Sequence, residues 1–272
     1  MENRSAPLPI DLYSPEREKY KAPLILIHGL WSASTCWMPW ATHFANLGWE
    51  CRAVNLRGRF GENAATELKR LTFEECVDDV RQALRAAPFP PVVLAHDLGA
   101  SIALEAAAEN KLSALVLVAP LSPESELPRA VKLLRLKYRP LLFLRRPFRL
   151  EESDFRKLWL GSGSQDGDGG DCLVADAPAL VDAFFARRLN LARETAPWPT
   201  LIAAARDDRI VSPAAQQIFA GRLGAEFREY TGGHWLIGDA GGEEVVRDLH
   251  RWIVQKAGGE ILLEQPPPVP PQ

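Results

Sequence analysis

The sequence predicts an α/β protein: a mostly parallel sheet with helices on both faces and a helical lid inserted late in the chain. Three observations carry that expectation. Short unbroken apolar runs, such as Leu24–Ile27, Val92–Ala95 and Ala114–Ala119, have the length and composition of strands buried on both faces. Stretches of helix formers stand between them, and strands alternating with helices build parallel sheets covered on both sides. At 272 residues, with 47% hydrophobic and 25% charged, the chain suffices for one large α/β domain that carries an insertion.

Residues 1–21 read as a polar N-terminal extension without the apolar core of a signal peptide. Leu24–Ile27 is the first buried strand and leads straight into His28-Gly29-Leu30-Trp31. A helix is expected from Trp37 to Leu47, stopped by Gly48, then a strand over Cys51–Asn55 and a loop through Gly61. Thr72-Phe73-Glu74-Glu75 has the form of a capping box and opens a helix that ends near Ala87, before a proline cluster. Val92–Ala95 and Ala100–Glu109 form the next strand and helix, and Ala114–Ala119 another buried strand. Residues 121–197 show no clear strands and are rich in Leu, Arg, Phe and Pro, which marks the helical lid. The core therefore comprises residues 22–120 and 198–257. Thr200–Ala204 resumes the sheet, and Ser212-Pro213 supplies an N-cap and an N1 proline for a helix to Leu223. Glu226–Tyr230 is the last strand and Glu243–Lys256 the last helix. Residues 258–272 read as a Pro-rich disordered tail.

Composition narrows the function classes. With 32 basic and 35 acidic side chains the net charge is −3, which gives no reason to expect nucleic acid or a membrane as partner. Cys36, Cys51, Cys76 and Cys172 follow no C-x-x-C or metal spacing and are expected as reduced thiols. The Gly- and Asp-rich stretch 161–171 fails the calcium-loop pattern, since its fifth and twelfth positions from Asp166 are Gly170 and Ala177. No metal and no cofactor is expected, no apolar run reaches membrane-spanning length, and the expected location is cytoplasmic.

The chemistry centres on Ala95-His96-Asp97-Leu98-Gly99. A strand that becomes a helix within about three residues must turn a sharp corner, and small residues two places either side let the backbones meet. Ala95 and Gly99 fill those places around Asp97, in the pattern G-x-S-x-G with alanine for the first glycine and aspartate for serine. The corner side chain stands at the positive end of the following helix, which suits an anion.

From residue 22 to 256 the chain resembles an α/β-hydrolase. The resemblance implies that His28-Gly29 begins the oxyanion loop, with Leu30 as first-choice amide donor, Trp31 as second, and Leu98 as the other donor. It implies that Ala205–Pro213 is the loop of the catalytic acid, where Asp208 is preferred over Asp207, with Glu124 a more distant candidate. Gly232-Gly233-His234-Trp235 resembles the histidine loop. His43 and His250 fall on predicted helices, and His96 precedes the corner and is expected to be buried.

An aspartate at the elbow is shared with haloalkane dehalogenases and epoxide hydrolases. A carboxylate needs no base to become a nucleophile. Attack on an ester would give an uphill anhydride, whereas attack on a carbon bearing a halide or an epoxide oxygen gives an alkyl ester. His234, oriented by Asp208, would then activate water against that ester. The likeness to those two subfamilies is incomplete. Trp31 stands where both usually carry proline, Leu98 replaces the tryptophan that commonly follows the aspartate, and the lid offers Tyr138 where epoxide hydrolases use a pair of tyrosines. Trp31, Tyr138 and Trp159 are candidate pocket residues for a small hydrophobic substrate. Two other readings stand beside an aspartate-nucleophile hydrolase. One is an esterase-like scaffold repurposed for a lyase, cyclase or isomerase step, and the other a silent small-molecule binding protein.

Overall fold

A computed structural model describes residues 8–121, 126–160, 172–186, 195–238 and 242–263. Seven strands form one sheet in the order β1-β3-β2-β4-β5-β6-β7. The six strands β2 (Leu24–Ile27), β3 (Cys51–Val54), β4 (Val92–His96), β5 (Ala114–Val118), β6 (Thr200–Ala205) and β7 (Glu226–Tyr230) run parallel. Strands β2, β4, β5 and β6 are buried at every residue, which is why they read as continuous apolar runs. Helices α1 (Met38–Asn46) and α9 (Gly242–Ala257) pack together, as do α3 (Phe73–Arg85) and α4 (Leu98–Ala107); α8 (Pro213–Leu223) lies on β6 and β7. The reciprocal capping box at Thr72 and Glu75 fixes the start of α3, and Ser212 caps α8 at the Ala215 N–H.

Three segments differ from the sequence reading. The N-terminal extension contains β1 (Ile10–Tyr13), an edge strand antiparallel to β3 in the register Ile10↔Val54 to Tyr13↔Cys51. Its four residues give too short a pattern to be read alone, and β3 supplies the hydrogen bonds that hold it. Between the expected loop, which ends at Gly61, and the capping box at Thr72 stands a short helix with no counterpart in that reading, α2 (Ala64–Arg70). The start of the presumed tail also belongs to the fold: a 3-10 turn spans Gly258–Ile261, Ile261 is buried, and Leu262 bridges Tyr20. Residues 264–272 lie outside the described residues, as do the Gly- and Asp-rich stretch 161–171 and Glu124.

The described part of the insertion is helical, with α5 (Arg129–Phe143), α6 (Glu152–Leu158) and α7 (Pro178–Ala186), α5 packing on both others. In the sheet, β2 is flanked by β3 on one side and β4 on the other. The chain therefore reverses its direction of winding between β2 and β4. Ligands of open α/β sheets bind at the carboxyl ends of strands where such a reversal leaves a crevice. The loops that leave β2 and β4 there are His28–Trp31 and the corner at Asp97.

Candidate active site

Asp97 sits between the end of β4 and the first residue of α4, with φ 54° and ψ −125°. Backbone in that region strains a residue with a Cβ by about 1–3 kcal/mol and persists only where the surroundings enforce it. Two glycines do so. A Cβ on Gly99 would lie 2.4 Å from the His28 carbonyl oxygen, and one on Gly29 would lie 2.5 Å from Asp97 Cβ. The loop after β2 and the corner after β4 can approach this closely only with glycine at both positions.

The approach brings three side chains into line. His234 Nε2 lies 3.3 Å from Asp97 Oδ1, and its Nδ1 lies 2.9 Å from Asp208 Oδ2. All three side chains are buried. Asp208 is fixed by three further donors: the Ile210 and Val211 N–H groups on Oδ1, and Gln216 Nε2 on Oδ2 at 3.1 Å. Asp207 instead serves through its backbone, its N–H donating to Gly232 O. The loop alternatives Asp207 and Asp208 are thus separated by geometry.

Burial alone would push the Asp97 carboxyl up, but the hydrogen bond from His234, its charge and the Leu30 N–H bring it below the ordinary carboxylate range. Burial alone would pull His234 down. The Asp208 charge, its hydrogen bond and the second carboxylate outweigh that and raise His234 to about 9. The arrangement thus favours the imidazolium form of His234 and the ionised form of Asp97.

Burial favours the neutral form of the other two buried imidazoles. His96, lowered to about 4 by burial, donates from Nε2 to the His234 carbonyl at 2.8 Å and so supports the histidine loop. His28, lowered to about 3 chiefly by burial, donates from Nδ1 to Gly29 O and accepts the Leu56 N–H at Nε2.

Of the amides expected around Asp97, Leu30 N–H donates to Oδ2 at 2.8 Å. Leu98 is the first residue of α4, so its N–H is one of the donors a helix leaves unpaired at its start. Trp31 N–H is taken elsewhere. It donates to Asp176 Oδ2 at 2.7 Å, and Asp176 Oδ1 in turn pairs with Arg59 Nη2 at 2.8 Å, both side chains being buried. Arg59 also donates to the Arg57 and Ser32 carbonyls. Through Asp176 the insertion is tied to Arg59 and to the loop after β2. Sequence reasoning missed the pair, because neither residue belongs to a motif and they are 117 positions apart.

An aromatic wall closes the site. Trp159, at the end of α6, stands edge-on to His234 at 6.0 Å and to Trp31 at 5.4 Å, and Phe184 packs against both tryptophans. The Trp235 backbone N–H donates to Trp159 O, so the loop of His234 and the insertion share a hydrogen bond.

The sequence matches the model of the alpha/beta hydrolase family over residues 24–248. The chain belongs to that family. Solved structures agree in fold. A thermophilic esterase from Thermogutta terrifontis aligns at TM-score 0.66 and 17% identity, over 92% of this chain and 94% of that one. A putative non-heme bromoperoxidase from Mycobacterium tuberculosis aligns at 0.70 and 18%, over 95% and 99%. An esterase from Exiguobacterium antarcticum aligns at 0.68 and 14%, over 90% and 94%. No curated protein matches the chain. At such identities these likenesses establish the fold.

In this α/β-hydrolase the candidate pocket residue Tyr138 is not part of the site. It stacks on Phe148 at 4.8 Å, and its hydroxyl donates to Asp154 and accepts the Glu151 N–H. Phe148, not Tyr138, reaches Trp31. The hydroxyl is spent joining α5 to α6, a role invisible without knowing that these helices pack. Among the described residues no helix is long and apolar enough to cross a membrane.

Proposed function

We propose that this α/β-hydrolase cleaves a small hydrophobic substrate at a tetrahedral carbon bearing a halide or epoxide oxygen, with Asp97 as nucleophile. The carrying observation is the division of labour at the Asp97 carboxylate. Oδ2 is held by the Leu30 amide while Oδ1 faces His234 Nε2.

In the first step Oδ1 forms a bond to the substrate carbon as the carbon–halogen or ring carbon–oxygen bond breaks, its electron pair leaving with the halide or staying on the epoxide oxygen as an alkoxide. The buried Trp31 indole N–H, which has no acceptor among the described residues, is a donor available to the departing atom. The product is a neutral ester on Asp97, so His234 loses one of the two charges that raise its pKa. It gives up its Nε2 proton, to the alkoxide of an opened epoxide or, after halide loss, to solvent, and becomes the base for a water that attacks Cγ of Asp97. Oδ2 takes the developing charge beside the Leu30 and Leu98 N–H groups. Collapse of the intermediate releases the alcohol and restores the carboxylate. The aromatic wall of Trp31, Trp159 and Phe184 suits an uncharged substrate.

The raised pKa of His234 favours a second reading, in which the Asp97–His234 pair shuttles a proton in a non-hydrolytic step. Intact-protein mass spectrometry of His234→Gln after exposure to a panel of alkyl halides and epoxides separates the two. Nucleophilic attack leaves an ester on Asp97 that accumulates because its hydrolysis stalls, and Asp97→Asn in the same background abolishes it. A panel that leaves no adduct on His234→Gln while the native chain turns it over excludes covalent catalysis by Asp97.

A further inference from the structure

Helix α5 carries two apolar faces. Val131, Leu134 and Tyr138 point inward and are buried. On the opposite side Leu133, Leu136 and Phe143, with Leu144 just beyond the helix, are 59%, 61%, 86% and 55% exposed. At about 100° per residue these outward positions, together with Pro140, share one arc of the helix. Basic residues flank them. Eight of the chain's 32 lie between Arg129 and Arg149, a stretch with no Asp or Glu. Arg135 and Lys137 are paired with carboxylates of α6, α7 and the segment before α6. Among the described residues, Lys132, Arg139, Arg145 and Arg146 have no such partner. Lys132, Arg139 and Arg145 also rim a groove of about 680 Å³ between α5 and the start of α7, which Lys69 faces from α2.

We propose that this outer face of α5 docks on an anionic lipid surface. An exposed apolar stripe bordered by unpaired cations is the arrangement of a helix that lies in the plane of a bilayer interface: apolar side chains enter the headgroup boundary and cations meet lipid phosphates. A polyacidic chain or a nucleic acid would satisfy the cations and leave Leu133, Leu136 and Phe143 in water. The charge complementarity and the apolar stripe together select the bilayer. Net charge alone pointed away from a membrane because the acids that balance this stretch lie elsewhere in the chain. The inference is independent of the chemistry at Asp97.

The test is co-sedimentation of the full chain with vesicles of phosphatidylcholine, alone or with about one-third phosphatidylglycerol. Binding to the anionic vesicles should exceed binding to the neutral ones by about tenfold and weaken at high salt. Arg139→Glu combined with Arg145→Glu should lower it by more than about tenfold. Leu136→Ser combined with Phe143→Ser should lower it comparably at constant salt. All four positions are exposed, and unchanged urea midpoints show that the fold survives. Equal binding to both vesicle types, or none, overturns the proposal. So does loss with the charge pair alone while the apolar pair has no effect and polyglutamate or DNA competes fully. That pattern is a plain polyanion site.

Discussion

Two adjacent amides of the loop after β2 are each held by a buried carboxylate: Leu30 by Asp97 and Trp31 by Asp176. The residue types and donors are the same, and the partners differ. Asp97 faces His234, a cation that can shed its proton, and its pKa is lowered. Asp176 faces Arg59, a cation that cannot; burial raises its pKa, and Arg59 and two amides oppose the rise. The first arrangement can change charge during a reaction. The second is a fixed clamp. A buried ion pair becomes chemical machinery when one partner can titrate.

The sharpest way to break this comparison is at the acid behind His234. Asp208→Asn should slow hydrolysis of an Asp97 ester by about four orders of magnitude, since the imidazole loses its orientation and counter-charge. Asp207→Asn should leave the rate within about twofold, because that residue contributes through its backbone. Decay of the adduct, followed by intact mass, measures both. Equal slowing by the two would move the acid to Asp207.

The second contrast concerns stability. Asp176→Asn leaves the Arg59 guanidinium buried without its counter-ion and should cost about 3–5 kcal/mol. Asp97→Asn should cost on the order of 1 kcal/mol, because His234 can go neutral instead. Urea unfolding of both variants at pH 7 reads the difference directly. Equal losses would mean that Asp97 is as much a structural counter-ion as Asp176.

The same contrast explains what the sequence revealed. Asp97 was legible because the corner imposes itself on its neighbours. Gly99 and Gly29 are required by contacts of 2.4 and 2.5 Å, and such positions leave a local pattern. His234 was legible from its glycine-flanked loop after a late strand. Asp208 was preferred over Asp207 by resemblance, and its side chain is the one that meets His234. Asp176 and Arg59 left no pattern, since burial and pairing came from the way the insertion packs on the loop after β2. For the same reason β1 and the Tyr20–Leu262 bridge escaped notice: each depends on a partner remote in sequence. Tyr138 erred in the other direction, a suitable side chain in a suitable segment whose hydroxyl the packing of α5 on α6 had already engaged.

Between pH 6.5 and 9 only one of the two ion pairs should show a pH dependence. His234 is raised from 6.5 to about 9 in the folded protein. A raised pKa means that the folded state holds the proton more tightly. Its contribution is therefore complete below pH 6.5 and is lost as pH climbs through about 9. The shift is worth on the order of 3 kcal/mol over that window. His28 and His96 act in the opposite sense. They are lowered to about 3 and about 4, so their contribution is present above pH 6.5 and fades as pH falls through those values. Subtracting the unfolding free energy of His234→Gln from that of the native chain cancels the other groups and should leave a difference that declines from pH 6.5 to 9. The Asp176→Asn difference should stay flat over the same range, because Arg59 does not titrate there. A flat His234 difference would mean that the imidazole is neutral at rest, and Asp97 would then lack the counter-charge that holds its carboxylate ionised in a buried site.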